Sequence, residues 1–410
     1  MASFLIVGAG QSGLQLGIGL LDDGHDVTVV SNRGPEDLRN GRLTSGQAMF
    51  GTALATERAL GIDLWEQECP PVEGFAISVL NPAGPSPLVD WAARLDRPGK
   101  SVDQRVKFPA WMQLFERRGG HLEIAQAGIG DLERYCEAND LVIIAAGRGE
   151  TSKLFRRVPE LSPFDKPQKL VAIIAVTGVA QRPDWDGACF SIVPGAGENI
   201  VVPTLTPSGP GHLIVFQLFP GGPWDCWQEV DSVEKHLALS KRLLEDFLPQ
   251  TYERCSHAEP LDATAFLFGG VVPVVREPVG QLPSGRLVLG IGDALVVNDP
   301  LTAPGANSAA KAADAYLSAI RAHGDAPYDR AFMEQTFYDF WNSTMRFVTE
   351  WNHLLLGMPD HVIRVLIAGN DFPAIRDRFV NGFDNPASYF DWLVSPDKAA
   401  AFLEQVAVAA

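Results

Sequence analysis

The sequence predicts an α/β fold: a Rossmann-like nucleotide-binding domain, an antiparallel β-sheet domain and a helical C-terminal region. Three observations carry this. A βαβ unit around a glycine-rich turn opens the chain, within about 30 residues as such units require. Four strand-like runs between residues 170 and 219 are separated by Gly/Pro turns, with no helical period between them. Beyond Asp293 the chain reads as helical to its end.

Residues 4–7 are a short apolar run that stops at glycine, as a buried parallel strand does. Gly8-Ala9-Gly10-Gln11-Ser12-Gly13 follows, then a helical stretch carrying Leu14, Leu16, Ile18, Leu20 and Leu21 that closes at Gly24. Residues 26–30 give the second strand, and a later one at 141–145 ends at Gly147-Arg148-Gly149. The runs 171–176, 188–193, 200–205 and 213–219 form a separate antiparallel sheet, with Gly195-Ala196-Gly197 as a hairpin turn. A helix is expected at 232–247, a strand at 266–275 and a last strand at 286–291 that runs into Gly292-Asp293. Helices are expected near 308–323, 330–356, 359–369 and 396–407. The nucleotide-binding domain is therefore assigned to 1–165 and 280–325, the β-sheet domain to 166–279 and the helical region to 326–410.

With 410 residues, 46% hydrophobic and 20% charged, the chain has ordinary globular composition. Its 33 basic and 50 acidic residues give a formal charge of −17, a surface that repels phosphate backbones and excludes nucleic acid as a partner. Cys69, Cys136, Cys189, Cys226 and Cys255 are scattered, with no CxxC, Cys/His cluster or HExxH. Neither a disulfide framework nor a metal site is expected, and a reducing, cytoplasmic setting is the simplest reading. The apolar N-terminal stretch lacks a basic leader and is broken by glycines, and no apolar run is long enough to span a bilayer. A soluble protein without membrane contact is expected.

Gly8, Gly10 and Gly13 match GxGxxG after a strand and before a helix. The first glycine permits the tight turn, the second lets a pyrophosphate approach the backbone, and the third lets the helix pack on the sheet. The helix N-terminus, with Gln11 and Ser12, offers N–H groups and partial positive charge to the phosphates. The acidic ribose partner usual at the end of the second strand is replaced by Ser31-Asn32-Arg33, of which Asn32 can still hydrogen-bond a hydroxyl. The distal half separates NAD from FAD. Gly292-Asp293 puts a carboxylate at the C-terminal end of a strand, where flavoproteins bind ribityl hydroxyls and NAD offers none. After residues 298–304, Gly305-Ala306-Asn307 opens a helix beginning near Ser308. Its N-terminus could face the flavin pyrimidine edge; alternatively, Asn307 or Ser308 is an ordinary N-cap. Together with GxGxxG, these features favour FAD.

At these residues the chain resembles the styrene/indole monooxygenase family, the FAD-dependent epoxidase components of two-component flavin systems. The resemblance runs nearly end to end: Gly8 to Gly13, Arg42-Leu43, Val102-Asp103 with Arg105, Gly269-Gly270-Val271-Val272-Pro273, and Gly290 through Asn307. It implies a p-hydroxybenzoate-hydroxylase-like arrangement of FAD domain and β-sheet substrate domain. It also implies a separate NADH-dependent flavin reductase that supplies FADH2, with O2 as the source of the oxygen added to an electron-rich C=C bond. Such chemistry asks for dryness and orientation rather than a general base, and no Ser/His/Asp or paired-carboxylate pattern occurs here. Single-component hydroxylases of this fold carry an Asp-Gly element that touches NADPH. Ala146-Gly147-Arg148-Gly149-Glu150 lacks it, so electrons are expected from outside.

The resemblance places Gly147, Arg42, Arg105, Pro300, Gly305, Ala306 and Asn307 among the cofactor contacts, beside Asn32 and Arg33. Arg42 and Asn307 are flavin-orienting candidates, and no residue is assigned as an acid or base. An extended segment 45–49 would project Ser45, Gln47 and Met49 from one face. Styrene epoxidases of the family typically carry Asn, Val and His there, and the indole branch Ser, Gln and Met. The match implies epoxidation of indole at C2=C3, leading to indoxyl and indigo, with Gln47 accepting the indole N–H and Pro300, Leu301 and Thr302 completing the pocket. Styrene epoxidation is the alternative. A non-catalytic flavin-binding redox sensor would tolerate charges around residues 45–50, where none stand. A homodimer is compatible with this reading.

Overall fold

Buried on both faces, the apolar run of β1 (Ser3–Val7) pairs in parallel with β2 (Asp26–Ser31) on one side and with the strand Leu141–Ile144 on the other. A computed structural model describes residues 1–409 of the chain. The sheet has six strands, with His121–Ile124 beyond β2, Leu287–Gly290 beyond Leu141–Ile144, and Val279–Gln281 as the antiparallel edge. Helix α1 (Gln11–Asp22) connects β1 to β2 and packs against the long helix Pro304–His323. This is the expected Rossmann-like unit, with both ligand-facing glycine turns at the C-terminal ends of its parallel strands.

The second sheet has nine strands. Its centre is the expected antiparallel set, Leu170–Thr177, Gly209–Leu218, Gly197–Thr206 and Ala188–Val193, in that spatial order. The sheet then continues into Pro71–Val79, Val89–Ser101 and the short edge Ala48–Met49. This corrects the expected boundary, since part of residues 1–165 belongs to the β-sheet domain. The reason is long-range pairing: Pro71–Val79 lies parallel to Ala188–Val193, more than a hundred residues later. The run expected at 266–275 is divided by Gly269-Gly270 and Pro273. Phe266–Gly269 joins the large sheet, while Val274–Val275 pairs with Val296–Val297.

One face of the large sheet packs on the helix Val233–Phe247, whose N-cap Ser232 accepts from the Lys235 N–H. The other meets the C-terminal helices. The single helix expected at 330–356 is interrupted by a π-helical turn at Trp341–Met345, between Arg330–Phe340 and Arg346–Gly357. Helices Asp360–Ala368, Pro373–Asn381 and Pro396–Ala409 follow, the middle one not anticipated. The C-terminal aromatics are divided between two cores: Phe332, Phe337 and Phe340 beside the nucleotide sheet, and Trp351, stacked on Tyr389 at 3.9 Å, beside the large one. Among the described residues the cysteines are all free, no group of side chains could hold a metal ion, and no helix is long and apolar enough to cross a membrane.

Candidate active site

Where the two sheets meet lies a continuous cavity of about 1470 Å³. One end is built by the turn after β1. Gly8 has φ +119°, and a Cβ there would sit 2.8 Å from the Ala146 backbone nitrogen. The turn is pinned by the Gly8 N–H, which donates to the Val30 carbonyl at 2.8 Å. Gly10 then starts α1 without a side-chain cap, so the first-turn N–H groups face the cavity without one. A Cβ on Gly10 would meet no atom within 4 Å. That open space in front of a helix N-terminus fits a pyrophosphate. Gly13 lies behind the turn and off the cavity, where a Cβ would fall 1.9 Å from the Gly8 carbonyl oxygen.

Gln11, Ser12, Asn32, Arg33 and Gly147 line the same end. Across from them, the strand Leu287–Gly290 delivers Gly292 and Asp293. The Asp293 carboxylate accepts no hydrogen bond among the described residues, and the residue is exposed where it lines this cleft. Desolvation by the surrounding protein pushes its pKa above the ordinary carboxylate range, against the opposing charges of Arg148 and Arg276. It is an acceptor awaiting hydroxyl donors, as a polyol supplies. Arg33, Arg42 and Arg148 line the cavity and none forms an ion pair among the described residues, so the cleft is cationic within an acidic protein.

The other end is apolar, walled by Phe75, Val171, Ile173, Val202, Leu213 and Val215 from one face of the large sheet. Residues 298–303 cross between the two ends, with Pro300, Leu301 and Thr302 lining the cavity. Gly305 and Ala306 also line it, but the helix behind them begins at Pro304 rather than near Ser308, after Ala303 in the left-handed region (φ 51°). Proline at the first helical position was the readable signal.

Three expected site residues lie elsewhere. The segment before Ala48 belongs to no strand; Ser45 and Gln47 line the cavity, while Met49, on the short edge strand, does not. Met49 packs with Ala53, Leu54 and Ala310, its Sδ 3.0 Å from the Lys107 ammonium. Asn307 is buried with its amide spent: Oδ1 accepts from the Phe50 N–H at 2.8 Å, and Nδ2 donates to the Ala48 and Ala303 carbonyls at 2.9 Å. It ties segment 48–50 to the helix and does not orient a ligand in the cavity; nor does it cap the helix. Arg105 is buried against Asp103 (2.8 Å) and Asp262 (3.0 Å) and does not reach the cavity. Its guanidinium locks a helix start to a distant loop.

Gln47 is 5% exposed, and its Oε1 has no partner among the described residues. The sequence reading missed Gln217 and Asn298, which also line the cavity. Gln217 was detectable as the one polar residue in the apolar run Leu213-Ile214-Val215-Phe216-Gln217-Leu218.

Residues 147–254 match the family model described as "Styrene monooxygenase A putative substrate binding domain". The chain is 29% identical to styrene monooxygenase StyA of Pseudomonas fluorescens, over 98% of this chain and 97% of that one. Among solved structures it is similar to the flavin-dependent brominase Bmp2, with a TM-score of 0.67 at 15% identity over the whole of both chains. It is also similar to pqsL of Pseudomonas aeruginosa, with a TM-score of 0.62 at 14% identity over 92% of this chain and 99% of that one. These structural likenesses extend to the fold.

Proposed function

We propose that the chain belongs to the styrene monooxygenase-type family of FAD-dependent monooxygenases, on its match over residues 147–254 and its 29% identity to StyA, and that it epoxidises a small aromatic alkene of the styrene type, using FADH2 made by a separate NADH-dependent flavin reductase. The observation that carries this is the continuous cavity, which joins the glycine turn at the α1 N-terminus directly to an apolar wall. Reduced FAD, when bound, would supply the two electrons with which O2 delivers one oxygen atom to the alkene and the other leaves as water.

The protein's part is binding, orientation and exclusion of water. Gly8, Gly10 and the α1 N-terminus receive the pyrophosphate, and Asn32 and Arg33 stand at the adenosine end. Asp293 accepts from the ribityl hydroxyls. Gly305 and Ala306 let the ring system lie close to the backbone, and Arg42 adds positive charge beside it. The sheet wall, with Leu301 and Thr302, holds a flat apolar guest and keeps water out. The five free cysteines suit a cytoplasmic setting.

A second reading, indole as substrate, is favoured by one observation: the buried, unpartnered Gln47 amide. An unpaired buried amide costs about 1–3 kcal/mol, enough to rank a guest with an N–H above one without.

Purified chain given O2, NADH, FAD and a flavin reductase is expected to form styrene oxide, and to form none when the reductase is omitted. Styrene turnover without reductase would overturn the two-component reading. Gln47→Val is expected to lower indole turnover about tenfold relative to styrene turnover, the factor that ~1.4 kcal/mol represents. Equal losses for both substrates would remove the role assigned to Gln47.

A further inference from the structure

Residues 298–303 form a strap between the cofactor and substrate ends of the cavity, and the strap has no regular ladder to hold it. Ala303 lies in the left-handed region at φ 51°, a conformation that persists in a non-glycine residue only where neighbours enforce it. Asn307 holds the Ala303 carbonyl at 2.9 Å, and three further buried side chains on three different elements hold the residues before it.

Asp299 is fully buried. Its Oδ1 accepts from the Leu301 N–H at 3.2 Å and its Oδ2 from the Lys169 N–H at 3.1 Å. Gln217, on the strand Gly209–Leu218, donates through Nε2 to the Pro300 carbonyl at 3.1 Å. Asn352, on the helix Arg346–Gly357, donates through Nδ2 to the Asp299 carbonyl at 2.9 Å and to the Thr302 hydroxyl at 3.1 Å. The strap is thus tied to the large sheet and to the C-terminal helices at once.

We propose that Asp299 is a positioning residue: its carboxylate, assisted by the Gln217 and Asn352 amides, fixes the strap so that flavin and alkene meet in one alignment. This rests on the monooxygenase reading above. The strap carries Pro300, Leu301 and Thr302, all of which line the cavity, while Asp299 does not. Asp299 therefore acts through its neighbours and not by contact.

The electrostatics agree with the geometry. The charged groups facing Asp299 are Lys169 and Glu198, and the Lys169 ammonium is already held by both Glu198 oxygens at 2.7 and 2.8 Å. Burial, incompletely offset, pushes the Asp299 carboxyl up to about 6. The sign follows. A folded pKa above the ordinary value means that protonation favours the folded state, so global stability from this group rises as pH falls through 6. The strap behaves oppositely, because a protonated carboxyl loses acceptor capacity at Leu301 or Lys169. Local loosening without global loss in mild acid is the signature that separates positioning from simple stability.

The test uses the ligand-free chain and the reconstituted system. In Asp299→Asn the new NH2 group faces an N–H donor. Amide hydrogen exchange across residues 298–303 is expected to accelerate about tenfold without ligand, the effect of losing ~1.4 kcal/mol of protection. Epoxide formed per FADH2 consumed should fall about threefold, with hydrogen peroxide making up the difference and affinity for reduced FAD within about twofold. In the wild-type chain the protection of these amides, taken relative to their base-catalysed intrinsic exchange at each pH, should fall as pH falls through about 6, and in the variant that protection should lose its pH dependence. Wild-type exchange and wild-type coupling in Asp299→Asn would overturn the proposal. Should that variant fail to fold, Asn352→Leu decides, since Asn352 does not line the cavity and its loss releases only the Asp299 carbonyl and the Thr302 hydroxyl: reduced coupling supports the proposal and unchanged coupling overturns it. If the wild-type chain itself makes no epoxide, the monooxygenase reading fails, while the exchange result still tests the strap.

Discussion

Gly10→Ala is expected to fold as well as the parent and to lose affinity for reduced FAD, while Gly13→Ala is expected to lose the fold. The two glycines sit three residues apart in one motif, yet what surrounds them is opposite. Gly10 has φ −96°, which alanine adopts without strain, and its Cβ would enter empty space. That space is the one in which a pyrophosphate would lie against the α1 N-terminus, so a methyl group there displaces the ligand and nothing else. A loss of about tenfold or more in affinity, at least ~1.4 kcal/mol, is expected by titration calorimetry. At Gly13 the Cβ would lie 1.9 Å from the Gly8 carbonyl oxygen, a clash with backbone that no rotamer relieves. Pushing α1 off β1 is expected to cost more than ~4 kcal/mol, in the range reserved for severe core disruption. Thermal unfolding of the two variants checks both halves. Undiminished FAD binding by Gly10→Ala would place the phosphates elsewhere.

That contrast also marks what could be read from sequence. The β1–α1–β2 unit and the four central strands of the large sheet were legible because each pairs within a few residues or announces itself by a glycine turn. Val89–Ser101 carries an equally plain signal, with buried Val89, Trp91, Ala93 and Leu95 alternating with exposed Asp90, Arg94 and Asp96. That strand was nevertheless passed over, and its sheet could not be read at all, because the connection through Pro71–Val79 to Ala188–Val193 is long-range, and an irregularity between Val72 and Gly74 blurs the period.

The site residues divide in the same way. Glycines and Asp293 were legible because their backbone setting defines their use. Arg105 was only half legible: Asp103, two residues before it, is a local partner, but the second, Asp262, is 157 residues distant, so its full burial could not be read. Met49 was misread because face arguments hold along one strand, and only Ala48–Met49 is strand while 42–47 is not. Asp299 was seen as part of a resemblance block, yet nothing local says that Lys169 and Asn352 converge on it.

The second large effect concerns a charge pair that the sequence reading passed over. Lys107, on the helix Gln104–Arg117, and Glu57, on Gly51–Ala59, are among the least exposed charged residues and form an ion pair with each other. Gln11 donates to the same Glu57 Oε1 at 2.8 Å, and the Lys107 ammonium also stands 4.7 Å from the Trp111 ring centre. Lys107→Met therefore leaves a buried carboxylate with one neutral donor, and is expected to destabilise the chain by about 3–5 kcal/mol. Replacing both partners, Lys107→Met with Glu57→Leu, removes the stranded charge and should recover most of that loss, because hydrophobic substitutes for a buried pair are often neutral or better. FAD affinity should not recover with it. Gln11 opens α1 at the phosphate end of the cavity, and without Glu57 its amide keeps only Gln15 as a side-chain acceptor. Chemical unfolding midpoints and FAD titrations on the single and double variants separate the two effects. A double variant as unstable as Lys107→Met would mean that packing around Met49 and Trp111, not the unpaired charge, sets the cost.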